Sequence, residues 1–467
     1  MSLPQKRRAP DAGLPLPDYR IARWQPVSTS IVGVARQVDS VDSVTRRPAA
    51  PAARRAPPAT SAPFHRTDKL GKLIAKDINI VKLFGLDHLL RSHTAVGDWG
   101  SLHTVRHHPA HRLLHQYKTR GVPVSLADGP WSQQQLRTHL TRGPHKSAYD
   151  HIDFLRDDMA DMVEKGFWTV LPFDLVATTP GLRLSPIGVV PQRNRRARPI
   201  VDYTFSGINQ VTQPNAPLEA MQFGRTLDRL LRKVLIADPA KGRVYLLKVD
   251  LADGYYRMHL GTHSAPKLAV VFPSSPGEPP LVAIPTRIPM GWKNSPPLFC
   301  AATETVADVT NRCLLRHAQA DPHPLDALAA SRPHTSVTHP MVETSAIAVP
   351  VPATPDPHLN PASRRPLAYI DVYIDDFIGA AQGTKATRDN VRRVLLHNID
   401  GVFRPLQPND HPARKEPISV KKLQHGDAAW STEKEVLGWL LNTDSLTLRL
   451  PHHRSQRLYE LLQPLAS

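Results

Sequence analysis

The chain has 467 residues, with 59 Lys and Arg against 41 Asp and Glu, a formal net charge of +18. That length suits two or three subdomains around a sizeable core, and the basic excess suits a polyanionic partner held by salt-sensitive contacts. Only Cys300 and Cys313 are cysteines, without zinc-site spacing; no apolar run has membrane-spanning length and no secretory signal opens the chain. This excludes disulfide-scaffolded, Cys/His zinc and membrane-spanning classes and points to an intracellular, non-secreted protein of cytoplasm or nucleus.

Residues 1–66 are rich in Pro, Ala and Arg and lack apolar periodicity, so they read as a disordered basic tail. Residues 67–150 read as a helical N-terminal region, with Leu70, Leu73, Ile74, Ile78 and Val81 at helical spacing. His107, His108 and His111 have no acidic or Cys partner at metal spacing and are expected to be exposed. Ile152, Leu155, Met159 and Met162 predict one apolar face of a helix that Gly166 ends.

Val244-Tyr245-Leu246-Leu247-Lys248-Val249-Asp250 predicts a buried strand that ends in a carboxylate. A helix is predicted from Leu298 to about Arg316, carrying both cysteines, and then an inserted irregular loop over 318–364. Tyr373-Ile374-Asp375-Asp376 lies between two short apolar β-prone runs, which predicts a hairpin with two carboxylates at its tip. If the two acidic strand ends are neighbours, Asp250, Asp375 and Asp376 could hold two Mg²⁺ ions roughly 3.5–4 Å apart, with Mn²⁺ as an alternative. The other reading makes Asp250 a turn cap and the acidic pair solvated loop residues. Glu435-Val436-Leu437-Gly438-Trp439-Leu440 predicts a hairpin, preceded by Lys421 and Lys422, and Leu458, Leu461 and Leu462 predict a short final helix.

Asp250-Leu251-Ala252-Asp253-Gly254-Tyr255 resembles the first catalytic motif of reverse transcriptases. Pro289-Met290-Gly291-Trp292-Lys293-Asn294-Ser295-Pro296 resembles their Pro-x-Gly-x-Lys-x-x-Pro segment, and Tyr373 to Asp376 their Tyr-x-Asp-Asp box. Arg198-Pro199-Ile200-Val201-Asp202-Tyr203 followed by Gly207-Ile208-Asn209 resembles the family's fingers motif. The resemblance runs from about Asp153 to Pro451 and is to retroelement enzymes, of LTR and tyrosine-recombinase retrotransposons in particular. It implies an α/β right-hand polymerase with fingers and a ferredoxin-like α+β palm, the thumb largely missing. Fingers and the first part of the palm would occupy 151–317, the rest of the palm 365–450, and a truncated thumb would start at 451–467.

The implied activity is RNA-directed DNA synthesis, a nucleotidyl transfer from dNTPs to a primer 3′-hydroxyl on an RNA or DNA template. The resemblance makes Asp250, Asp375 and Asp376 the catalytic metal ligands. It gives Arg198 the triphosphate, Tyr255 the sugar, Met290 a packing contact with sugar or base, and Gly291 and Lys293 the nucleotide and template side. Arg193, Arg195 and Arg196 stay open as further phosphate contacts, Leu437, Gly438 and Trp439 would form the primer grip, and Lys421 or Lys422 would protonate pyrophosphate. Two alternatives remain: a catalytically inactive nucleic-acid-binding remnant of a retroelement, and an RNA-dependent RNA polymerase, against which Tyr255 argues.

Overall fold

In the computed structural model the described residues are 68–95, 97–192, 195–216, 221, 223–331 and 365–466, within one compact unit, Phe64–Ser467. The tail expected at 1–66, Arg193, and positions 332–364 of the expected loop lie outside them. Asp68 caps α1 (Lys69–Phe84) by accepting the Gly71 N–H at 2.8 Å, and Gly85, at φ 84°, ends it. There follow α2 (Leu86–Ala95), α3 (His111–Arg120), α4 (Gln133–Arg142), opened by a Ser132/Gln135 capping box, and α5 (Lys146–Asp150).

In α6 (Ile152–Glu164) the buried stripe is Leu155, Met159, Ala160 and Val163, while Ile152 and Met162, expected on that face, are half-buried. The face is rotated because Arg156 turns inward, 2.7 Å from Asp68 and 3.0 Å from Glu278. A buried guanidinium is tolerated there because both partners are carboxylates. His108 also departs from expectation. It is buried, with Nε2 3.3 Å from the Asp308 carboxylate, a partner 200 positions away in sequence.

The next elements are β1 (Trp168–Pro172), α7 (Phe173–Val176), β2 (Ser185–Gln192), β3 (Arg195–Val201), α8 (Ile208–Val211), α9 (Thr226–Leu235), β4 (Tyr245–Asp250), β5 (Val270–Phe272) and β6 (Leu281–Pro285). Five of these strands form a sheet in the order β1-β6-β5-β2-β3, in which β2 and β5 are parallel. Leu70 and Ile74 of α1 and Leu155 and Met159 of α6 pack on its Val170, Val189 and Phe272.

The second layer is built from α10 (Ser295–Leu315), α11 (Asp326–Ala330), β7 (Ala368–Tyr373), β8 (Asp376–Ala381) and α12 (Lys385–Val402). Strands β4, β8 and β7 form an antiparallel sheet in that order, so β4 and the β7–β8 hairpin are joined through α10 and followed by α12. The position beyond β4 is filled by isolated bridges, Leu246 to Ser431 and, just past the strand's end, Leu251 to Ile418. Period-two alternation sends Leu247, Val249, Phe377, Ile370 and Val372 into the main core with Phe299 and Val306 of α10 and Leu395 of α12. Nearly every residue of α10 from Ser295 to Asn311 is buried, which is why small and apolar residues dominate it, with Glu304 and Asp308 as its buried charged side chains.

The other face of this sheet carries Leu246, Ile378 and Ala380. Val436 and Leu441 cover them, from β9 (Glu433–Val436) and β10 (Trp439–Asn442), which follow α13 (Val420–Gln424). The last elements are β11 (Thr447–Arg449), paired with β10, and α14 (His452–Ala466), whose Leu458, Leu461 and Leu462 are exposed. Residues 318–331, expected to begin an irregular surface loop, instead pack on α12. His323 lies 2.9 Å from Asp400, Asp326 lies 2.9 Å from Arg392 and 2.7 Å from Arg393, and Ala329 is buried. The chain is thus a mixed α/β protein, and no helix of its described residues is long and apolar enough to cross a membrane.

Candidate active site

The two acidic strand ends meet. Asp250, the last residue of β4, stands opposite Asp376, the first residue of β8, and Tyr373 is the partner of Asp376 on its other side. Ile374 and Asp375 make the two-residue tip, and the Leu251 N–H donates to the Asp375 carbonyl at 3.0 Å, which ties the tip to the end of β4. On the far side of β4 the Ser419 N–H donates to the Asp250 carbonyl at 2.8 Å. Alternation places Lys248, Asp250, Asp376 and Ile378 on the sheet face that the β9–β10 hairpin partly covers.

Crowding three carboxyls makes their ionisation costly. Burial raises the Asp250 pKa well above the carboxylate range; a hydrogen bond and repulsion from Asp376 add to it, and Lys422 opposes it. Burial, then Asp376, raises Asp375 as well. Lys248 answers part of this charge, its Nζ 3.2 Å from Asp376 Oδ1. Burial works against the Lys248 ammonium, but Asp376 holds its pKa above the usual lysine value. Even so, Asp376 Oδ1 is buried and receives no aligned hydrogen bond.

Among the described residues no group of three or more His, Cys, Asp and Glu side chains is placed to hold a metal ion as they stand. The donors nevertheless fit a hard divalent cation: they are carboxylate oxygens, their mutual repulsion would be relieved by positive charge, and one buried oxygen lacks an aligned donor. Asp253 does not join them. It holds the turn after β4 in the left-handed region, φ 62°, and binds Lys165 at 3.2 Å.

Beside the carboxylates lies a cleft of about 510 Å³ lined by Arg198, Tyr255, Met290, Gly291, Lys293 and Asp375, together with Gly254, Trp292, Pro296, Phe299 and Ile374. Asp375 is thus the carboxylate that faces the cleft, whereas Asp250 and Asp376 are not part of its lining. Arg198 reaches it from β3, with Nη2 3.0 Å from Met290 Sδ. Arg196 is engaged elsewhere, 2.7 Å from Asp158 of α6. Tyr255 is set edge-on to Phe299, ring centres 5.3 Å apart, and burial pushes its phenol pKa up.

Gly291 has φ 92°, and a Cβ there would come 2.6 Å from the Val201 carbonyl oxygen. Its smallness is therefore required first by the protein's own backbone, not only by a bound substrate. Asn209 clamps this loop: its Nδ2 donates to the Gly291 carbonyl at 2.9 Å, and its Oδ1 accepts the Lys293 N–H at 2.9 Å. The sequence motif by itself assigns Asn209 no role. The signal was a short polar side chain just after a left-handed glycine, Gly207 at φ 77°. Lys248 was also missed, although it stands two residues before Asp250 in an otherwise apolar run.

Leu437 and Gly438 form the two-residue turn between β9 and β10, both with positive φ, and Trp439 opens β10 as an exposed ring. Lys421 is exposed and Lys422 half-buried at the start of α13. No family model matches the chain, and no curated protein matches it.

Proposed function

We propose that the chain is an RNA-directed DNA polymerase of a retroelement, a nucleotidyltransferase that joins dNTPs to a primer 3′-hydroxyl on an RNA or DNA template. The observation that carries this reading is the in-register pairing of Asp250 with Asp376 beside a cleft that also gathers Arg198, Tyr255, Lys293 and Asp375. The order β4, α10, β7, β8, α12 with sheet order β4-β8-β7, and a bridge in the fourth position, supports a ferredoxin-like palm. The five-stranded sheet bearing Arg198 then corresponds to fingers.

Asp250, Asp375 and Asp376 would hold Mg²⁺, or Mn²⁺ in its place. When bound, the metal supplies Lewis-acid activation of the 3′-hydroxyl and neutralises charge on the leaving pyrophosphate. The protein's own part is positioning. Arg198, at the mouth of the cleft, offers a forked cation to the triphosphate. Tyr255, braced by Phe299, walls the place where a 2′-hydroxyl would sit and so favours deoxynucleotides. Asn209 keeps the Gly291–Lys293 backbone in register with the nucleotide. Free thiols at Cys300 and Cys313 suit an intracellular compartment.

Purified full chain with a primer, an RNA template, dNTPs and Mg²⁺ should extend the primer, and Asp375→Asn should lower the initial rate of extension by roughly a thousandfold. Extension at the wild-type rate in that variant would overturn the assignment. Salt-sensitive template binding with no extension would favour a catalytically inactive nucleic-acid-binding protein, and preference for NTPs an RNA polymerase.

A further inference from the structure

Lys248 has no part in the polymerase reading, yet it is the cation in contact with the acidic cluster. It sits on β4 two residues before Asp250 and on the same face, its Nζ 3.2 Å from Asp376 Oδ1. Its side chain keeps 17% of its exposure and that of Asp376 20%, so the ammonium cannot swing freely into water. Its main-chain N–H is tied to the Asp427 carbonyl at 3.0 Å, which holds that part of β4 in place. Lys422 is the other cation acting on Asp250 and Asp375, but it reaches them from α13, across the β4 edge.

We infer that Lys248 is a built-in competitor for the divalent cation: its ammonium takes up Asp376 and thereby weakens metal binding by the carboxylate cluster. The inference rests on the polymerase reading of that cluster. A lysine in this place cancels about one unit of the negative charge the cluster offers a cation, and its ammonium occupies the space beside Asp376 Oδ1, the buried oxygen that receives no aligned hydrogen bond. The expected consequence is a site that loads poorly by itself and fills when a triphosphate adds oxygen ligands and negative charge. Removing the ammonium while keeping the aliphatic stem should leave the strand packed and free Asp376.

The test is Mn²⁺ binding by the full chain without nucleotide, followed by the electron paramagnetic resonance of free Mn²⁺. Lys248→Met should lower the Mn²⁺ Kd by roughly tenfold, the scale of removing one partly screened like charge from a cation site. Lys248→Arg should keep the wild-type value, and thermal unfolding should show both variants folded. An unchanged or weaker Mn²⁺ affinity in a folded Lys248→Met variant overturns the inference. Asp375→Asn separates this from the underlying reading. If the wild type binds Mn²⁺ and Asp375→Asn does not, the cluster stands whatever Lys248 does. If no Mn²⁺ binds to the wild type or to Lys248→Met, the cluster assignment and the inference fall together.

Discussion

The β9–β10 and β7–β8 hairpins each turn on two residues, and they solve the turn differently. At the β9–β10 tip Leu437 (φ 50°) and Gly438 (φ 84°) are both left-handed, as a type I′ turn requires, and glycine takes the second place without cost. At the β7–β8 tip only Ile374 (φ 57°) is left-handed, in the place where a type II′ turn calls for glycine. A β-branched residue there costs on the order of 1–2 kcal/mol. Both tips hold a non-glycine residue at positive φ, but the β-branched one, and so the more strained, is at the tip that carries the carboxylates. Strain held in place next to a candidate chemical site is what a positioned acid pair needs, because it is kept by the packing around it.

That packing lies directly beneath the tip. Arg229 of α9 clasps Asp371 of β7 at 2.6 and 2.7 Å, Tyr369 donates its hydroxyl to the same carboxylate at 2.5 Å, and the Thr226 hydroxyl donates to the Val372 carbonyl at 2.8 Å. The β9–β10 tip has no comparable buried clasp among the described residues. Its near neighbour is the end of the Arg454 side chain.

The largest effect should come from the strained tip itself: Asp375→Asn should lower primer extension by roughly a thousandfold, read as initial rates, with the melting curve unchanged. If the clasp is what holds the strain, Arg229→Met should cost about 3 kcal/mol in denaturant unfolding, because it removes the main partner of a fully buried carboxylate. Asn209→Ala, which loosens the Gly291–Lys293 loop but touches neither tip, should raise the KM for dNTP by roughly tenfold in steady-state kinetics. At the β9–β10 tip Gly438→Ala should destabilise by about 1 kcal/mol in the same unfolding assay, since φ 84° disfavours any Cβ. At the strained tip the sign should reverse: Ile374→Gly should stabilise by at most about 1 kcal/mol while extension slows. Equal and destabilising effects of the two glycine exchanges would remove the contrast between the tips.

Much of this site can be read along the chain. Asp250 is legible because it ends an apolar strand, and Asp375 and Asp376 because they interrupt two apolar runs at hairpin spacing. The cleft residues are legible as short local segments, and the structure brings Arg198, Tyr255, Met290, Gly291 and Lys293 to one place from three separate stretches of sequence. Asp371 is less legible, since an acid within β7 looks like an outward-facing residue until Arg229 is found beneath it. The rotation of α6 is hidden for the same reason: nothing near Arg156 says that Asp68 and Glu278 will pull it inward.

What the sequence alone determined is local: where strands end, which residues sit at turns, and which face of each strand is apolar. These follow from side-chain alternation and turn chemistry that act over a few residues. What only the tertiary structure decided is partnership. The register that sets Asp250 against Asp376, the Lys248 contact with that pair, and the burial of His108 on Asp308 join groups separated by more than a hundred positions. Burial supplies the reason. A charged or polar group taken out of water must find its complement wherever packing brings one, and sequence distance has no part in that requirement.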